Sequence, residues 1–211
     1  MSEQVFDPAF WDTEIKIQKN NSRIFPLQKG AKVHNFEMEV IKTSDLKSVE
    51  KRMSERYFKS GIKVLSFLPN CWNEYARTHL ARLNESAQEL KALGGETFLV
   101  VNAAQEQIFD FLNDQKPQFS VIKDNDFRIA GKFGVFNEHY QPWQYIPGIQ
   151  EDGPFPGIFV VNKKSEVCYS YVDLTFEKPF SFLEVAVAVY AENQKQNWQY
   201  FELNKKTSVS R

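Results

Sequence analysis

One stretch limits the fold more than any other: two short apolar runs with a single amphipathic pattern between them. Lys63-Val-Leu-Ser-Phe-Leu68 is compact and rich in Val, Leu and Phe, the composition of a strand buried on both faces. Pro69-Asn-Cys-Trp-Asn73 follows as a turn. From Glu74 onward, apolar residues recur at Ala76, Leu80, Leu83, Ala87, Leu90 and Leu93, in the steps of three and four that mark one face of a helix. Gly94-Gly95 ends that helix, and Thr97-Phe-Leu-Val-Val101 reads as a second buried strand. A strand, a helix and a strand in fewer than forty residues predict a parallel βαβ crossover.

The flanking segments extend this unit. His34-Asn-Phe36-Glu-Met38-Glu-Val40 alternates polar and apolar, as a half-buried strand does, and Ser44-Asp-Leu46 starts a predicted helix running to about Phe58. Another helix is expected from about Ala104 to Asn113, and a short strand at Phe119–Ile122. Asp124-Asn-Asp126 caps a helix that runs through Lys132 and closes at Gly134. Residues 137–153 form a loop rich in aromatics, Pro and Gly. Pro156–Val161, the turn Asn162–Ser165 and Glu166–Val172 read as an antiparallel hairpin, and residues 179–191 as an apolar helix. The order predicts an α/β chain of the thioredoxin-like fold, a central mixed sheet flanked by helices with an N-terminal extension. Three parts are expected: an arm over 1–28 packed on the domain, the domain over 29–191, and a polar tail over 192–211.

In sequence the chain resembles the peroxiredoxin family, in its AhpC/TSA-type branch, over about residues 25 to 191. Gly30-Ala-Lys-Val-His-Asn-Phe36 resembles the family's entry segment, and Val64-Leu-Ser-Phe-Leu-Pro69 the strand leading into its active site. Leu90-Lys-Ala-Leu-Gly-Gly95, the Ser120–Asp126 stretch with Phe133-Gly134-Val135, and Phe155-Pro156-Gly-Ile-Phe-Val-Val161 follow in the family's order. The resemblance implies thiol-dependent peroxide reduction. It also implies P-x-x-x-T-x-x-C, which aligns from Pro69 without a gap and puts the Thr on Asn73 and the peroxidatic Cys on Ala76. A related branch uses W-C-P-x-C; Trp72 matches its Trp, and its two cysteines fall on the same Asn73 and Ala76.

That substitution matters physically. The first turn of a helix carries unpaired N–H groups and the positive end of the dipole, which favour a thiolate, and the thiolate is what attacks peroxide. Ala76 has no nucleophile, whereas Asn73 suits an N-cap. The resemblance also implies an Arg after the proline strand, yet no Arg occurs between Arg128 and Arg211. Lys178 lies near that region and could supply charge, without the forked guanidinium geometry.

Cys71, five residues before Ala76, is either a displaced nucleophile or a loop thiol. Cys168 lies mid-strand, with the proline strand expected between it and the strand leading to Cys71, too far apart for a disulfide. The resemblance implies a cis bond before Pro156, and a pocket wall in which Pro156 faces Pro69, Trp72 and Glu74. Glu74 is either a general acid or base or a first-turn carboxylate favoured by the dipole. The three histidines are dispersed, so no metal site is expected, and no cofactor is implied. Tyr140, Trp143 and Tyr145 in the 137–153 loop could meet a protein or small-molecule partner or cover the core.

Lys+Arg total 26 and Asp+Glu 27, a balance that gives no footprint for nucleic acid or an anionic membrane. No apolar run approaches the roughly 18 residues of a membrane helix, and the N-terminus lacks the basic and apolar regions of a signal peptide. With two separated cysteines, the expected location is the reducing cytoplasm. Members of the family often dimerise, so a homodimer is expected. The expected function is a catalytically degenerate family member that binds or assembles; the alternative is an active thiol oxidoreductase using Cys71.

Overall fold

The computed structural model describes residues 23–41, 49–69, 73–104, 107 and 117–208, the side chains of Glu55 and of 196–208 excepted. Residues 1–22 of the arm expected over 1–28, the helix start at Ser44, Cys71 and Trp72, and all but Gln107 of the 105–116 stretch lie outside the described residues.

Seven strands form one sheet: β1 (Glu37–Ile41), β2 (Val49–Met53), β3 (Ile62–Phe67), β4 (Gly95–Val101), β5 (Ser120–Lys123), β6 (Gly157–Val161) and β7 (Val167–Val172). Their spatial order is β2-β1-β5-β4-β3-β6-β7. β3, β4 and β5 are mutually parallel, while β1 pairs antiparallel to β2 and β5, and β6 to β3 and β7. The βαβ crossover is there as the sequence predicts, with α2 (Glu74–Ala92) joining β3 to its neighbour β4. This is a mixed sheet flanked by helices, the thioredoxin-like arrangement. No described helix is long and apolar enough to cross a membrane.

Alternating side chains of the central strands feed two cores. Ile62, Val64, Leu99 and Val101 face α2 and α4 (Phe182–Ser208). Leu65, Phe67, Phe98 and Val100 share the opposite core with Phe58 of α1 (Ser54–Phe58) and Phe133 of α3 (Arg128–Phe133). In that second core Phe67, Phe133 and Phe159 meet with ring centroids 5.0–5.6 Å apart, spacing at which edge-on contacts add to burial. Lys63 is buried in the same layer, its Nζ donating to Glu96 Oε2 at 2.6 Å and to Ser60 Oγ at 3.0 Å.

Three expectations change. The helix predicted from Ser44 to Phe58 is helical only from Ser54, because Val49–Met53 pairs along the open edge of β1 as β2. Lys51 sits directly opposite Glu39 there and bonds it at 3.1 Å, so pairing partners outweighed the local pattern. The last helix starts at Phe182 rather than at residue 179 and continues to Ser208 through what was expected to be tail, since no Gly or Pro interrupts that span. No peptide bond among the described residues is cis, so the bond before Pro156 is trans. Phe155 N–H donates to Val135 O and Asp173 N–H to Pro156 O, both at 2.8 Å, and the chain runs extended into β6, where a proline with no N–H to place is tolerated.

The Asp124 carboxylate caps α3, accepting from the Ile129 and Ala130 amides at 2.8 Å each. Burial pushes that carboxyl up to about 6, against the pull of the two donors. Gly134, at φ +70°, ends α3, and a Cβ there would lie 1.9 Å from Phe25 O. Leu27 N–H donates to Phe133 O at 3.0 Å, so residues 25–27 lie directly on the end of α3.

Candidate functional site

The turn between β3 and α2 is where the resemblance puts chemistry. Asn73 is extended (φ −84°, ψ −177°) and is the N-cap of α2. Its Oδ1 accepts the Ala76 amide at 3.0 Å, answering one of the orphan donors of the first turn. Ala76 is 0% exposed and belongs to the apolar core. Glu74 is exposed in the same turn. Pro69, at the end of β3, is buried, and a Cβ on Gly153 would fall 2.8 Å from its Cβ, so the 137–153 loop lies on it.

One turn along α2 a buried histidine meets a buried serine. His79 is buried, and its Nε2 shares a 2.7 Å hydrogen bond with the buried Ser66 Oγ in the middle of β3. Its Nδ1 is buried without a hydrogen-bond partner. Phe180 stands edge-on to the imidazole at 5.2 Å. Burial, and then the positive charge of Arg82, hold His79 down to about 4, against the opposing Asp173, so the ring is neutral at pH 7. The signal for this pair was present. Ser66 interrupts an apolar strand and His79 stands among apolar positions of α2; two polar groups on facing buried surfaces need each other.

Asp173, just beyond β7, ties the wall together. Its Oδ2 accepts from Tyr75 OH at 2.9 Å and from Lys178 N at 2.8 Å, and its Oδ1 from Thr175 N at 3.1 Å. The loop so held places Phe176, at a positive φ of 58°, against Tyr75 at 5.1 Å. Lys178 enters this network through its backbone; its carbonyl accepts from Tyr171 OH at 2.5 Å, and the residue lines a surface groove with Arg82, Glu85 and Glu89. Arg82 Nη1 donates to Phe180 O at 3.1 Å and Pro179 O at 3.4 Å. A guanidinium therefore reaches this region from α2, ahead of the proline strand in sequence rather than after it.

The aromatic loop holds its own shape. Buried Gln141 accepts from Gly153 N at 3.0 Å and donates to Asn137 O at 2.7 Å, and Trp143 Nε1 donates to Asp152 at 2.8 Å. Tyr140 packs on Phe155 and Tyr145, at 5.6 and 4.6 Å. Trp143 and Tyr145 remain about half exposed.

Cys168 is the extra residue of a bulge in β7: Tyr169 is opposite Val160 and Val167 opposite Val161. Burial, then Glu192, push its thiol up to about 12, so it stays protonated at neutral pH. β6 lies between β7 and β3, as the sequence order required.

The AhpC/TSA family model matches residues 30–170. No curated protein matches the sequence significantly. Among solved structures, AhpC of Enterococcus faecalis superposes with a TM-score of 0.63 at 14% identity, covering 78% of this chain and 92% of that one. The reduced 2-Cys peroxiredoxin of Plasmodium vivax gives 0.65 at 10% identity, over 82% and 86% of the two chains. A Cys-to-Ser mutant of PrxQ from Xylella fastidiosa gives 0.62 at 15%, over 79% and 98%. With that match over more than half of its length, and with the sheet order and crossover described above, this chain belongs to the AhpC/TSA family of the thioredoxin superfamily and has a peroxiredoxin-like fold.

Proposed function

We propose that this chain is a catalytically degenerate member of its family, retained as a binding or assembly module. One observation carries the reading: the first-turn position aligned with the peroxidatic cysteine is Ala76, a buried methyl whose amide is already bonded to Asn73. Hydrogen peroxide has no nucleophile to meet there. The self-supporting loop with half-exposed Trp143 and Tyr145 supports a binding role, with a protein or small-molecule partner. A free thiol at Cys168 accords with a reducing cytoplasm as the proposed location. The test is peroxide consumption by the full chain with a dithiol reductant. The expected rate is that of the reductant alone; turnover at peroxiredoxin-like rates would overturn the reading.

A second reading has one observation in its favour. Cys71 precedes Asn73 by two residues in sequence, and Asn73 caps the positive end of α2. A thiol oxidoreductase acting there would lose its activity in Cys71→Ser; activity unchanged in that variant would eliminate it.

A further inference from the structure

Trp143 and Tyr145 are 46% and 54% exposed, and burial does not explain why the 137–153 loop holds them. Their placement is fixed from within. Tyr145 packs on Tyr140 at 4.6 Å, and Tyr140 in turn on the buried Phe155 at 5.6 Å. Gln141 and Gln144 close the turn around Trp143, Gln141 N donating to Gln144 Oε1 at 3.2 Å and Gln144 N to Gln141 O at 3.1 Å. A platform held by its own chain loses little freedom when something lands on it.

What this platform offers has one sign. An indole has a single polar group, a donor, and Trp143 already gives its N–H to Asp152 Oδ1 at 2.8 Å. The ring keeps its carbon face, and the carboxylate keeps acceptor capacity at both oxygens. Glu138 and Glu151 are exposed in the same loop, which has no Lys or Arg, in a chain with 26 Lys+Arg against 27 Asp+Glu. His139 Nε2 lies 3.2 Å from Glu138, and Arg23 meets the loop through its carbonyl, which accepts from Asn137 Nδ2. An aromatic face and a carboxylate both attract a cation. The tyrosine hydroxyls can orient a partner but add no charge of their own.

The arrangement of the rings selects among cations. Quaternary ammonium groups are held in cages, with rings standing apart around the charge. Tyr140 and Tyr145 instead lie against each other, 35° from parallel, with no room for a cation between them. Packed rings make a flat platform, and the flat cation is guanidinium, which lies on a ring while its N–H fork meets a carboxylate. Rings this open to solvent enclose too little of a free amino acid to hold it alone. The guanidinium therefore belongs to a longer chain.

We propose that the 137–153 loop is a docking surface for arginine side chains of a protein partner, received on Trp143 and Tyr145 and paired with Asp152. This rests on the binding role proposed above and gives its partner a chemistry. The two readings fail separately. Peroxide turnover with arginine binding intact removes only the degenerate reading, and an inert chain that ignores arginine removes only this one.

Fluorescence anisotropy of labelled peptides with the full chain tests it. The probe is a blocked peptide with two arginines spaced by glycines. Its counterparts carry lysine, or citrulline as the neutral isostere, and free arginine serves as a competitor. The arginine peptide should bind more tightly than the lysine one, while the citrulline peptide should not bind and free arginine should not compete at equal concentration. Asp152→Asn keeps an oxygen for the Trp143 N–H, so its melting temperature should match the parent while affinity for the arginine peptide falls about fivefold or more. Tyr145→Ala, which removes an exposed ring, should weaken binding to a similar degree. Glu85→Gln, at an exposed acid of α2, should leave it unchanged. No binding at millimolar peptide overturns the proposal. So does a lysine or citrulline peptide that binds as tightly, free arginine that competes as well as the peptide, or an affinity indifferent to both loop variants.

Discussion

Asn73 and His79 show how much one side chain can settle at the start of α2. Asn73 answers the Ala76 amide, and Asn73→Ala should destabilise the chain by about 1 kcal/mol in urea denaturation, the usual worth of an N-cap. His79 gives the fold a pH dependence. Its native pKa of about 4 lies below the ordinary value of 6.5, so the unfolded chain binds the proton more readily. Its contribution is therefore present above pH 6.5 and is lost as pH falls through 4, a change of roughly 3 kcal/mol. Asp124 works in the opposite sense, since its raised pKa favours the fold below about 4 and loses that contribution as pH rises through 6. Comparing the parent with His79→Leu at several pH values isolates the histidine: the difference between the two in unfolding free energy should shrink as pH falls from 6.5 to 4. At this scale the sequence was legible for Asn73 and Ala76, because capping is local. It showed only half of the Ser66–His79 bond: a polar residue stands on each buried face, but the two meet only after the sheet and helix have packed.

Among the elements, those whose pattern is set by burial were read closely: β3, α2, β4 and the β6–β7 hairpin are where periodicity put them. β2 was misread because Val49–Met53 is mostly exposed, so nothing in its polarity marks a face. Its strand character comes from β1 alongside. The start of α3 was legible from Asp124, and its end from Gly134. That glycine tests the contact with residues 25–27. Gly134→Ala must accept both a positive φ and a methyl 1.9 Å from Phe25 O, far inside van der Waals contact, and a loss of more than about 2 kcal/mol is expected in thermal unfolding. A fall of a few tenths would mean that residues 25–27 yield easily.

For the whole molecule, the two cores share one set of strands. β3 gives Val64 to one side and Leu65 to the other, so neither core can open without exposing the back of the same sheet. Leu80→Ala in the first core and Phe133→Ala in the second should each cost about 3–4 kcal/mol and move one common transition, with circular dichroism and tryptophan fluorescence tracing the same curve. Two separated transitions would show that the layers melt independently.

The hydrogen bond from the Ala76 amide to Asn73 has a consequence for reversibility. A helix start that holds a reactive anion leaves its amides unanswered by the chain and gives up stability for it; here the chain answers its own amide. Restoring a sulfur with Ala76→Cys would therefore meet an occupied donor and a closed, apolar environment. The expected outcome is a slow, high-pKa thiol, measurable by its alkylation rate against pH. Pairing it with Asn73→Thr, the residue the aligned motif carries there, should quicken it. On the proposed reading, peroxide chemistry at this turn would need changes at both Asn73 and Ala76, the two positions at which the aligned motif differs.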